Sequence, residues 1–334
     1  MRAIGDLATH LLSSRFQSRL RQSADTSAQE ATTGLAKDKA RHLGGASMAY
    51  SLLDRKAQLL QEHRRGIAEV AVLASATQTV LGKIQDQSNG LSNRLSLVSQ
   101  LENTTELEAL SESAVQSFVD VVQALNTEIA GRHLFSGTAT DKHPLPNGGD
   151  LLARLQTDLL GATTPQDLVS AIDDWFGTPT GGFETGAYAG SVSGFAQRPI
   201  GPGATVTFGL RADGDTVRKL LAALATAAFA SKEAFGFSAS EQQVLLDQAR
   251  IGLVEADRNL IEERAGLGLI ESAIETSRIE TDAEIGRLEL DRISLLGIDQ
   301  FETASDFEAT QQQLDVFYRI AARQSRVSLA EYLR

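Results

Sequence analysis

The sequence predicts a mainly α protein: an elongated antiparallel coiled-coil helical bundle formed by the N- and C-terminal segments, with a small inserted α+β outer domain. Three observations lead there. Apolar residues recur every three and four positions over long stretches. All six prolines fall between residues 131 and 215. Aromatic residues make up only 5% of the 334-residue chain, and a chain short of large rings favours narrow helix–helix seams over a thick core.

The first segment, residues 1–40, reads as a terminal helix whose apolar face carries Leu7, Leu11, Phe16 and Leu20. The strongest periodicity follows it. Ile67, Val70, Ala74, Thr77, Leu81, Ile84, Ser88, Leu91, Leu95 and Val98 alternate spacings of three and four, and Leu53 and Leu60 extend the seam backwards. A repeat of 3.5 residues held this long predicts a coiled coil. Asn103 and Thr104 interrupt it, and Thr105 with Glu108 has the spacing of a capping box. A second helix is expected over about 106–130, with Leu107, Leu110, Ala114, Phe118, Val121, Leu125 and Ile129 on one face. Residues 41–135 thus form the first core helices.

"AGRHLFSGTATDKHPLP" (130–146) ends the helical pattern. Gly131 and Gly137 can take positive φ at little cost. Leu134 and Phe135 offer an apolar anchor, and Ser136 and Thr138 can bond backbone groups released at a helix end. Pro144 and Pro146 forbid the helix to resume. The segment reads as a hinge into an outer domain spanning 136–238. In that domain Thr164-Pro165 should cap "PQDLVSAIDDWF". The stretch 184–215 alternates and turns like short strands, and "TVRKLLAALATAAFA" reads as a helix.

The return begins at another capping-box spacing, Ser238 with Glu241. A long helix over 239–297 carries Leu267, Ile274, Thr281, Leu288 and Leu295 seven apart, a seam weakened by Ser277 and Glu284. Gly297 should interrupt it. A last helix, from about 303 within the segment 298–334, presents Phe307, Leu314, Phe317, Ala321 and Leu329.

Charge is uneven. The whole chain carries −12, residues 1–65 have eleven Lys/Arg against six acids, and residues 239–334 have ten Arg against nineteen acids. The overall balance argues against bulk nucleic-acid binding, and a basic beginning and acidic end can attract each other. With no cysteine, disulfides and thiolate metal sites are excluded. No run of eighteen apolar residues predicts a membrane span, and the N-terminus does not read as a cleavable secretory signal.

Chemistry-bearing patterns are few. His10, His42, His63, His133 and His143 have no metal-ligand spacing, and the two beside the 131–138 segment are expected to be solvated. Asp173 and Asp174, adjacent in a helix, point to different faces. "GPGATV" and "GLGLIE" lack the third glycine of a dinucleotide fingerprint. "NTT" (103–105) reads better as helix punctuation than as a glycosylation acceptor. No enzyme activity, cofactor or metal is expected.

"GRHLFSGTATDKHPLP" closely resembles the stretch at which hook–filament junction proteins of the bacterial flagellum, the hook-associated protein 3 family within the flagellin superfamily, leave their helical core. "ATTGLAKDKA" (31–40) resembles that superfamily's first-helix turn, with Thr33 in place of its serine. "ENTTELEAL" sits where its first two core helices connect. The ending resembles its Ser-Leu-x-x-Tyr-Leu pattern at Ser328, Leu329, Tyr332 and Leu333. After Gly34 the chain departs, lacking the usual Asp- and Pro-containing stretch. The resemblance implies a secreted structural adaptor that joins hook to filament. It would be exported without a cleavable signal through the flagellar type III apparatus, with a cytoplasmic chaperone. Its terminal helices would pack with those of identical subunits in a ring, next to flagellin and a neighbouring hook-associated protein. The faces expected to do so are Leu7, Leu11, Phe16 and Leu20 with Leu314, Phe317, Ala321 and Leu329. Simple pairing of the chain's own two ends is the plainer use of those faces, and the two uses are compatible. Flagellin itself, or a secreted coiled-coil stalk or tip protein that binds a partner, would share much of this layout.

Overall fold

A computed structural model describes the backbone of residues 2–98, 103–195, 197–207 and 209–332, and side chains over 11–98, 103–195, 197–207 and 209–323. Long helices dominate, as the periodicity predicts. The chain divides into two compact units, residues 62–281 and residues 1–61 with 282–334.

The unit of 62–281 holds the densest core. Helix α3 (Ser47–Leu95) enters it with the predicted seam: Ile67, Ala74, Leu81, Ile84, Ser88, Leu91 and Leu95 are all nearly or fully buried. α3 also contains one stretch long and apolar enough, by composition, to cross a membrane. Antiparallel to it runs α9 (Ala239–Leu296), which buries Leu245, Leu246, Leu253, Leu260, Leu267 and Ile274. Polar side chains set their register. Asp257 accepts from Gln85 Nε2 at 2.8 Å and from Asn89 Nδ2 at 3.1 Å. The Arg264 guanidinium donates to Gln85 Oε1, and Gln78 reaches the Arg264 carbonyl at 3.4 Å. Such groups bond well in only one alignment, so they fix the sliding position that apolar contacts leave loose.

Helix α4 (Thr104–Leu125) starts at Asn103, whose Oδ1 accepts from Thr105 N at 3.0 Å. The expected Thr105–Glu108 box is therefore not the cap, because the helix begins two residues earlier. α4 also ends earlier than 130. Strands β1 (Glu128–Ile129) and β2 (Arg132–His133) pair as a minimal hairpin. Ala130 and Gly131 turn it with φ of +50° and +77°, the left-handed pair that matches strand twist.

Four further helices follow: α5 (Gly148–Asp158), α6 (Pro165–Gly177), the short α7 (Gly182–Gly186) and α8 (Asp215–Phe229). α6 carries the predicted Thr164 cap and Pro165 start, as a complete capping box with Asp167. α8 is apolar on nearly every side and packs on both α4 and α6. The Ser111 hydroxyl of α4 meets the carbonyls of Ala227 and Ala228, both at 2.9 Å, supplying a partner where helix-end carbonyls lack one. Trp175, Phe176 and Phe183 form an aromatic cluster with centroids 4.8–6.0 Å apart, and the Trp175 indole N–H bonds Asp158 at 2.9 Å.

Of the expected strands in 184–215, the described residues form one hairpin, β3 (Gln197–Gly201) with β4 (Ala204–Thr207). The front of that stretch is α7 and irregular loop. The residues expected as an outer domain, 136–238, share one unit with α4 and with the larger parts of α3 and α9, and α4 and α8 bury their faces against each other. Glu241 accepts from the Ser238 hydroxyl at 2.6 Å and from Ser238 N at 2.8 Å, bonds that, the hydroxyl's first, hold its carboxyl below the usual range.

The other unit contains α1 (Arg2–Thr33), the short α2 (Lys39–Leu43), a 3₁₀ turn, the start of α3, the end of α9, and α10 (Gln300–Tyr332). α10 begins before 303 because Asp299 caps it, accepting from Phe301 N at 2.8 Å. Gly34, at φ +68°, ends α1, and Gly297 ends α9. These two breaks face each other. Ala36 N donates to Leu296 O at 2.9 Å, and Ile298 N to Gly34 O at 3.1 Å, making a small antiparallel bridge.

Candidate assembly interface

α1 and α10 pack along each other, antiparallel. Phe16 meets Phe317 with ring centroids 5.9 Å apart. The Tyr318 hydroxyl accepts from Gln17 Nε2 at 3.2 Å and from Arg21 Nη2 at 2.7 Å. Those bonds, the one from Gln17 first, hold its pKa below the ordinary tyrosine value. The two chain ends are therefore paired within one molecule.

That pairing sorts the expected interface residues. Leu20 is buried, and Leu314 and Phe317 are half-buried. Leu11 and Phe16 remain about half exposed, at 51% and 53%, and Ala321 is exposed. Leu7 and Leu329 lie outside the residues whose side chains are described. A second apolar face, unexpected from the sequence, adds to the exposed set. Val316 and Ile320 of α10 are exposed beside Phe16 and, with Ala309, Gln312, Gln313 and Phe317, line a groove of about 500 Å³. The signal was present: Ala309, Val316 and Ile320 lie seven and four apart, one turn-face away from the Leu314–Phe317–Ala321 set. An aliphatic groove walled by two Phe rings and flanked by two Gln suits another apolar surface.

The 131–138 segment, expected as a hinge, is packed into the core. Phe135 and Ser136 are fully buried and Leu134 packs partly against the core. Ala212 N donates to Phe135 O, and Ser191 N to Ser136 O, both at 2.9 Å. Gly137 has φ +66°, and a Cβ there would lie 2.5 Å from Ser191 O. Ser136 Oγ donates to His133 O and Thr138 Oγ1 to Ser193 O, so neither serves the helix end. At the end of α4 the Asn126 backbone N–H donates to Val122 O at 3.1 Å and the Thr127 hydroxyl to Ala124 O, while the Asn126 side chain bonds both backbone groups of Leu145 at 3.0 Å. Nor is His133 solvated. It is 5% exposed, its ring lies tilted with its centroid 4.3 Å from that of His143, and its Nδ1 lies 3.2 Å from Asn126 O. The segment is packed, tied down by backbone bonds to Ser191 and Ala212 and by the Thr138 hydroxyl.

The class is that of mainly α proteins whose first and last helices pair along each other. Among solved structures of that class, the crystal structure of Bacillus cereus FlgL superposes with a TM-score of 0.54 at 13% identity, over 73% of this chain and 100% of that one. A putative flagellar hook-associated protein from Vibrio parahaemolyticus aligns with a TM-score of 0.43 at 14% identity, over 73% of this chain and 97% of its own. The chain has the fold of the Bacillus FlgL. No family model and no curated protein matches the sequence.

Proposed function

We propose that this chain is a structural subunit of the bacterial flagellum, an adaptor at the junction of hook and filament. The observation that carries the reading is the fold: the whole of Bacillus cereus FlgL, a hook-associated protein 3, finds its counterpart here. The resemblance of "GRHLFSGTATDKHPLP" to the same proteins points the same way from the sequence. In this reading the α1–α10 pair forms first within the subunit. The exposed groove of Phe16, Val316 and Ile320 then meets the terminal helices of neighbouring subunits, with flagellin and another hook-associated protein as further neighbours. The chain is a binding and building element without catalysis. It leaves the cell through the flagellar type III apparatus, held beforehand by a cytoplasmic chaperone.

A clean deletion in the motile source organism tests this. Bare hooks with flagellin shed into the medium are expected, because filament growth would lack its platform. Loss of flagellin itself would make the chain the filament subunit. Normal filaments would remove the flagellar role and bring a secreted stalk forward.

A further inference from the structure

Helix α9 has two apolar faces, and only one of them is covered. At 100° per residue, the buried set Leu245, Leu246, Leu253, Leu260, Leu267 and Ile274 forms one side. Val244, Ile251, Val254, Ile261, Leu269 and Ile279 fall within an arc of about 100° on the opposite side, with exposures from 45% to 75%. In the gap between Ile261 and Leu269 stand the small residues Ala265 and Gly268, and nothing lies within 4 Å of where a Gly268 Cβ would be. The stripe runs for about 50 Å. Six large aliphatic side chains in one exposed line are far from the scattered exposure normal for a surface.

Charge says what covers it. α9 carries thirteen acids against six arginines, so a second α9 laid on the stripe would be repelled. Residues 39–65 carry six Lys/Arg against two acids. At the start of α3 they also present Met48, Leu52 and Leu59 on one face, 76%, 63% and 54% exposed. Arg55 is exposed on that same face. Both surfaces are apolar along one line, and they are opposite in charge.

We propose that the outward stripe of α9 takes the Met48–Leu52–Leu59 face of a second copy of this chain. The contact joins unlike surfaces, so it repeats from copy to copy instead of closing as a symmetric dimer. It uses residues other than those of the α1–α10 groove and rests on the assembly reading above, to which it adds the partner face.

The absence of cysteine makes the test direct. Leu52→Cys and Ile261→Cys are prepared as separate full-length chains with distinguishable tags, mixed at low salt and oxidised. The mixed disulfide should exceed that formed by Leu52→Cys with a control, Gln166→Cys on α6, by about tenfold, since only apposed Cβ atoms bridge readily. It should weaken in about 0.5 M salt, where charge attraction is screened. Mixed product at the control level, or a dominant Ile261→Cys self-disulfide, overturns the proposal. The same pair expressed in cells separates the two ideas. Copies found in flagella without the mixed disulfide remove this contact and leave the flagellar role standing. The mixed disulfide in purified chains that never enter flagella does the reverse.

Discussion

The two units are built from the same kinds of residue and bury them to very different degrees. All twelve of the largest fully buried side chains, from Phe118 and Phe135 to Leu107 and Leu125, lie within 62–281. In the other unit the best-buried leucines are Leu296, Leu60 and Leu288, at 1%, 3% and 4%. There Phe301, Met48, Leu12 and Leu52 stand 86%, 76%, 65% and 63% exposed. The first unit fills a core of its own, because α8 lies between α4 and α6, although α9 keeps an outward apolar stripe there. The second has helices in pairs, and a pair covers only one face of each partner. Stability that one unit finds inside itself must come to the other from outside, and that is a physical reason for it to assemble.

The largest effect that would break this comparison sits in α4. Phe118→Ala should cost about 3–5 kcal/mol by transfer and cavity terms, read as a lower urea midpoint; a loss under about 1 kcal/mol would mean that 62–281 is not the tight unit. Gly137→Ala should cost about 2–3 kcal/mol, since it meets both a left-handed backbone and the Ser191 carbonyl, and it should abolish hydrogen-exchange protection of Ser191 N. Asn103→Ala removes one cap and should cost about 1 kcal/mol, with Asn103→Ser restoring most of it. Phe317→Asp should leave the unfolding of 62–281 within about 0.5 kcal/mol while stopping incorporation into flagella; unchanged incorporation would clear that face of an assembly role.

Acid sharpens the contrast last. The hydrogen bond from Lys56 holds the Glu284 carboxyl below its ordinary value of 4.5. A lowered folded pKa gives stability that is present above 4.5 and lost as pH falls through the folded value. Protease cutting within 39–61 should therefore rise on acidification, and Glu284→Gln should flatten that rise.

Most of the helices were legible in the sequence, because each repeats a local spacing. The α3 seam, the Thr164-Pro165 start and the glycine break at 297 stand where the pattern puts them. Tertiary partners were not legible. Ser277 and Glu284 weaken the α9 repeat for reasons no heptad count reveals: Ser277 donates to the Ile200 carbonyl of β3, and Glu284 pairs with Lys56. α9 itself misleads, since two opposed apolar faces blur its period. The 131–138 segment has the composition of a loose connection, and its burial depends on Ser191 and Ala212, more than fifty residues away in the chain. At the interface, Phe16 and Phe317 were readable as apolar; which of their neighbours would stay uncovered depends on the rotation of α1 against α10, which one chain's pattern does not encode.

The bridge between the breaks at Gly34 and Gly297 bears on force. Two smooth helices held by greasy contacts shear past one another under tension, each ridge slipping to the next groove. Here the chain leaves helical geometry at the same level on both sides, and main-chain hydrogen bonds in both directions lock across the gap. A pull on either end is thus carried sideways into the neighbouring segment within a few residues, as a rivet passes load between two plates.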